Sequence, residues 1–119
     1  MEEKSVKPET LVVLWSSGDK EVATKMAFMY TLNAKLRGWW QDVTLIVWGP
    51  SAKLLNEDSE LQDRIEEMRA AGVILLACKA CSDSYGVSEG LEKLGVEVKY
   101  MGEPFTQILK DPYQRVISL

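Results

Sequence analysis

Two kinds of apolar pattern alternate along this chain. Unbroken runs of strand length, Thr10-Leu11-Val12-Val13-Leu14-Trp15, Val43-Thr44-Leu45-Ile46-Val47-Trp48 and Val73-Ile74-Leu75-Leu76-Ala77, are separated by longer stretches of helical period. Continuous runs of this kind suit strands of a parallel sheet covered on both faces. Over residues 20–37, Val22, Met26, Met29, Asn33 and Leu36 recur at helical spacing, and Ala23, Ala27 and Tyr30 widen the stripe. The pattern predicts a helix with that stripe turned to the core and Gly38 as its stop. A single helical turn is expected over 52–56. A longer helix over Ser59–Ala71 follows, capped by Asp58 or Ser59, with Leu61, Ile65 and Met68 inward and Gly72 ending it. Residues 84–94 read as a helix with Val87, Leu91 and Leu94 inward, weakened by Gly86 and Gly90, which mark close approach of another group to the backbone. Residues 96–101 alternate as a half-exposed strand, 105–110 form one or two helical turns, and 114–119 supply a last strand. Residues 1–9 are a polar lead-in.

Five strands alternating with helices predict one domain, a three-layer α/β/α sandwich on a mostly parallel five-stranded sheet. Parallel strands share a carboxyl edge, where ligands and chemistry gather in open α/β folds. Ser16-Ser17-Gly18, Trp48-Gly49-Pro50-Ser51 and Cys78-Lys79-Ala80-Cys81 should therefore meet there.

Composition removes several function classes. The 119-residue chain has a formal charge of −4, which opposes binding to phosphate backbones, so nucleic acid is not an expected partner. Histidine is absent, so this chain cannot build a Cys-His pair or a Ser-His-Asp triad. Two cysteines alone cannot complete a tetrahedral zinc site, and no metal or cofactor is expected. No apolar run approaches the ~20 residues that span a bilayer, and the charged start is followed by no signal-type segment, so the expectation is a soluble cytoplasmic protein.

Both cysteines lie at one strand-to-helix corner. A thiol, with an ordinary pKa of about 8.5, needs a positive environment to become a thiolate. Lys79 and the unpaired N–H groups of the following helix start could supply it, while Asp83 works the other way. Inert packing is the alternative reading, since buried cysteines are common. Ser16-Ser17-Gly18-Asp19 could cradle an anion at a helix start, although a plain capped turn explains it as well. A flavin stacked on Trp15 or Trp48 lacks a hydroxyl-rich phosphate loop. A thioredoxin-like site is a poor match, because two β-α units precede the cysteine pair.

The segment Leu76-Ala77-Cys78-Lys79-Ala80-Cys81-Ser82-Asp83-Ser84-Tyr85-Gly86-Val87, followed by Leu91-Glu92-Lys93-Leu94-Gly95-Val96-Glu97-Val98, resembles the DsrE/DsrF-like family. That family includes the TusBCD sulfur-relay subunits and YchN-like proteins. The spacing of Cys78 and Gly86 carries the likeness, and the order of elements agrees over nearly the whole chain. The resemblance implies a subunit that assembles into trimers or hexamers and, as in the sulfur-relay members, a cysteine at the place of Cys78 that carries persulfide sulfur between donor and acceptor proteins or small thiols. Cys81 stands where YchN-like members have a second cysteine; Tyr85 stands where relatives often have Arg. Helix-start logic favours Cys81 as the more acidic thiol, whereas the family spacing favours Cys78. The expectation is Cys78 as sulfur acceptor and Cys81 as auxiliary thiol, supported by Lys79, Ser82, Ser16, Ser17, Gly18 and Gly49. The alternatives are an oligomeric binding protein with structural cysteines, or a thiol redox protein. Trp39 and Trp40 are candidates for an oligomer interface or for packing under their loop.

Overall fold

The computed structural model describes residues 7–119; the expected lead-in lies largely outside them, and residues 7–9 form no regular element. Strands β1 (Thr10–Trp15), β2 (Asp42–Val47), β3 (Ile74–Cys78), β4 (Glu97–Lys99) and β5 (Gln114–Ser118) make one sheet, order β4-β3-β2-β1-β5, in which every pairing is parallel. Helix α1 is one rod built of Lys20–Val22, a wider π-helical segment Ala23–Ala27, and Phe28–Leu36. Further helices are α2 (Pro50–Glu57), α3 (Ser59–Ala71), α4 (Lys79–Tyr85), α5 (Ser88–Lys93) and α6 (Gly102–Lys110). Among the described residues no helix is long and apolar enough to cross a membrane.

The strand order dictates how the layers fill. Connections β1 to β2, β2 to β3 and β3 to β4 all step the same way across the sheet, so right-handed crossovers lay their helices on one face. The connection from β4 returns to the opposite edge, and the same handedness puts α6 alone on the other face. Two cores result. The larger joins Leu11, Val13, Leu45, Val47, Leu75 and Ala77 of the sheet to Ala27, Leu55, Ile65 and Leu91 of the helices. The smaller joins Val12, Ile46, Leu76 and Cys78 to Met101 and, at its border, to Phe105 and Ile108 of α6.

Three expected elements are corrected. The helix after Gly49-Pro50 runs for eight residues rather than one turn, with Pro50 at its first position, where a missing N–H costs nothing. The helix expected over 84–94 is two helices: α4 begins at Lys79 and stops where Gly86 takes a left-handed conformation (φ 71°), and α5 starts at Ser88. Gly86 is thus a terminator, whereas Gly90 does meet another group, since a Cβ there would fall on the side-chain amide of Asn56.

Of the stripe expected on α1, Ala23 and Ala27 face the core but the larger side chains do not. Ala23, Ala27, Phe28, Thr31 and Ala34 are buried against the sheet, whereas Met26, Met29, Tyr30 and Leu36 are exposed. Small alanines let the rod lie close to the strands, and the π-helical turn shifts the phase of the rod partway along. The rod is therefore apolar on both sides, and the larger side chains form its outer side.

Candidate functional site

Trp15 of β1, Val47 of β2 and Ala77 of β3 are register partners, so the residues that follow them, Ser16, Trp48 and Cys78, line up along the carboxyl edge of the sheet. Side chains alternate between faces, so while Ala77 enters the larger core, Cys78 enters the smaller one beneath α6. Cys78 keeps extended backbone dihedrals (φ −76°, ψ 115°) as the residue from which α4 starts, and it is only 5% exposed. One turn into α4, Cys81 joins the border of the same cluster, partly exposed, with Trp48 and Phe105 beside it. Both cysteines are free thiols. Trp48 and Phe105 meet edge to face with ring centroids 5.4 Å apart, which fixes an aromatic wall across the two layers.

The backbone N–H of Gly49 and the Trp48 side chain lie close enough to the Cys81 thiol to favour its charged form, and Cys78 is its neighbour. Burial nevertheless pushes its pKa up, the neighbouring Cys78 adds to the rise, and the Gly49 and Trp48 contacts offset only part of it. Helix-start logic predicts the reverse; desolvation in the apolar cluster outweighs the dipole. Gly49 reaches this position with φ 76°, a conformation that disfavours any residue with a Cβ, and also precedes Pro50 at the start of α2.

Lys79 does not face the thiol pair. Its ammonium lies 3.1 Å from Asp83 Oδ2 and 5.8 Å from the centroid of Tyr100, and the bond to Asp83 raises its pKa. Ser88 and then Lys79 hold the Asp83 carboxyl below the usual range. Ser82 is fully buried; its hydroxyl donates to Lys79 O (3.3 Å) and shares a 2.6 Å hydrogen bond with Ser88, tying α4 to α5. The positive character around the sulfurs therefore comes from N–H groups and not from Lys79.

The loop after β1 is close by but already satisfied. Ser16 N–H donates to Leu119 O (2.8 Å) and Ser16 O accepts from Ser51 N–H (3.2 Å). Ser17 Oγ accepts from Asp19 N–H, and Asp19 in turn caps α1 by accepting from Glu21 N–H at 2.8 Å. This is the capped turn rather than an anion cradle. A Cβ on Gly18 would sit 3.3 Å from Pro50 Cβ, so the first two loops touch.

Two groups were not read as site residues from sequence. Ser51, placed at the carboxyl edge with its loop but given no role there, is fully buried; its hydroxyl donates to Trp15 O (2.6 Å) and accepts from Trp48 N–H (3.2 Å), stitching β1 to β2. Phe105 comes from α6, whose crossing to the cysteine face follows from strand order and has no local signal. The position of Trp48, directly after a strand that ends beside the one carrying Cys78, was the available clue.

The family model described as the DsrE/DsrF-like family matches residues 10–119. No curated protein matches the chain. Among solved structures, a conserved protein of unknown function from Bacteroides thetaiotaomicron is 38% identical, with a TM-score of 0.89 over 93% of this chain and 95% of that one. The ychN protein from E. coli superposes with a TM-score of 0.68 at 16% identity over 94% and 99%, a likeness of fold. With the family match running from β1 through β5 and the same architecture in both solved structures, this chain belongs to the DsrE/DsrF-like family.

Proposed function

We propose that this chain is a cytoplasmic sulfur carrier in which Cys78 accepts sulfane sulfur and Cys81 assists. The observation that carries the reading is the pair of free, mutually adjacent thiols at the carboxyl edge of a DsrE/DsrF-like sheet. The Cys78 thiolate attacks the outer sulfur of a donor persulfide. The donor S–S bond breaks, the donor sulfur leaves as a thiolate and takes up the proton that Cys78 lost, and Cys78 becomes a persulfide. An acceptor thiolate then attacks that outer sulfur and releases the Cys78 thiolate, so no external oxidant or reductant is consumed. Donor and acceptor are proteins or small thiols, reached past Cys81 and Phe105, because Cys78 itself is buried. A reducing compartment keeps both thiols available.

The chain works as a homo-oligomer, a trimer or hexamer. Support comes from the α6 layer, which covers a sheet face without having one fully buried residue and leaves Leu109 and, beyond its end, Tyr113 more than half exposed. The proximity of the two sulfurs favours a second reading, a Cys78–Cys81 disulfide that cycles with the cytosolic thiol pool.

Intact mass spectrometry of the reduced protein after exposure to a persulfide donor tests the assignment. Wild type and Cys81→Ser should gain one sulfur and Cys78→Ser none. Equal loading of Cys78→Ser would sink the assignment. Loss of two hydrogens without a sulfur gain would establish the disulfide reading instead. No change in any sample, with both thiols inert to a thiol dye, would make the cysteines structural.

A further inference from the structure

On the face that carries most of the helices, one strip of sheet has no helix over it. Helix α1 steps from β1 toward β2, so β5 and the outer side of β1 form the floor of an open groove of about 890 Å3. Its floor includes Leu11 and Ile117, and its wall is the outer side of α1, with Met26 and Met29 51% and 53% exposed. The aromatic end is already organised: Trp40 Nε1 donates to Tyr30 OH at 3.1 Å, and Trp39, 56% exposed, packs on Tyr30 with centroids 5.9 Å apart. The volume lies within the range of small-molecule sites, about 300–1,000 Å3.

Charge narrows the occupant. The chain carries 18 acidic against 14 basic residues, yet among the described residues the charged side chains lining the groove are Lys25 and Arg115. Neither is in an ion pair among the described residues. Arg115 is the register partner of Leu11 on β5, toward the Trp39–Trp40 end, whereas Lys25 lies in the first part of α1. Unpaired cations beside an apolar, aromatic-walled channel are complementary to an apolar body that bears an acid group.

We propose that this groove binds an organic anion with an apolar body, of the size and character of a medium-chain fatty acid or an aryl sulfonate, separately from the cysteine site. Leu11, Met29 and Trp39 would hold the body, and Arg115, at the Trp39–Trp40 end, the acid group. The test is a titration of the full-length protein with laurate, read by calorimetry and by tryptophan fluorescence. Dodecanol serves as the neutral control of equal chain length. Saturable laurate binding is expected at one site per chain, weakened about tenfold by Arg115→Gln, corresponding to about 1.4 kcal/mol, and little changed by Lys25→Gln at the other end of the groove. Dodecanol should bind more weakly than laurate and respond to neither substitution. Trp39→Ala, at an exposed position that the fold does not need, should weaken both. Absence of saturable laurate binding, or equal binding of dodecanol with no effect of Arg115→Gln, overturns the proposal. So does sedimentation that shows copies associating through this groove, with Met29→Lys lowering the oligomeric state, because a second copy would then be the occupant. Persulfide loading at Cys78 should be unaffected by all of these substitutions.

Discussion

The two faces of the sheet differ in depth. On one, five helices bury side chains such as Leu45, Leu55, Ile65 and Met68 completely. On the other, α6 alone covers Val12, Ile46 and Leu76, and no residue of that helix is fully buried. Burial is the main favourable term in folding, so the thick face supplies most of the stability. The thin face holds Cys78 under a cover that few contacts retain. On the proposed sulfur-carrier reading, the fold separates what must stay closed from what a donor or acceptor must reach.

Substitutions should divide along the same line. Ile65→Ala, on the thick face, is expected to lower stability by about 2–5 kcal/mol, measured as the shift of the urea midpoint at constant slope. An effect below that of the thin-face variant would break the comparison. Phe105→Ala, on the thin face, should cost about 1–2 kcal/mol, less than a fully buried Phe, because the side chain is only partly covered. It should also raise the labelling rate of Cys78 by a thiol dye in the folded protein; an unchanged rate would mean that α6 is not the gate. The smallest effect concerns pH. Burial raises the Cys81 pKa, so its alkylation should rise with pH through a midpoint above the ordinary thiol value. In Cys78→Ser, which removes the contribution of the neighbouring thiol but leaves the burial, the midpoint should move down only part of the way. A midpoint below the ordinary value would restore the helix-start reading of Cys81.

Much of this was legible along the chain, and what was missed has physical causes. The strands were read within a few residues because a central parallel strand writes itself as an unbroken apolar run. The cysteine corner was legible as well, since a strand that ends in small polar residues has few alternatives. The inner side of α1 was read only in part, through Ala23 and Ala27, because hydrophobicity was weighed by size. Met26, Met29 and Tyr30 outweigh Ala23, Ala27 and Ala34 on any such count, yet it is the alanines that permit close approach to the sheet. The pairing of Lys79 with Asp83 depends on α4 starting as early as Lys79, which makes them neighbours one turn apart. A helix start placed at residue 84 hides that relation. The raised pKa of Cys81 depends on Gly49, Trp48 and burial, three influences brought together only by the sheet.

The return of the chain from β4 to β5 also sets an order of events. Ser16 bonds to Leu119, 103 positions away, and β1 has β5 as its neighbour from Thr10 to Leu14. Closing so long a loop costs more entropy than any of the earlier β-α-β steps, which pair strands near in sequence. During synthesis, β1 can join β2 and β3 while its other side still shows unpaired N–H and C=O groups beside Leu11 and Val13. That side is an aggregation-prone edge until β5 arrives. Docking of β5 should therefore come late in folding, with substitutions at Val116 or Ile117 accelerating unfolding more than they slow refolding.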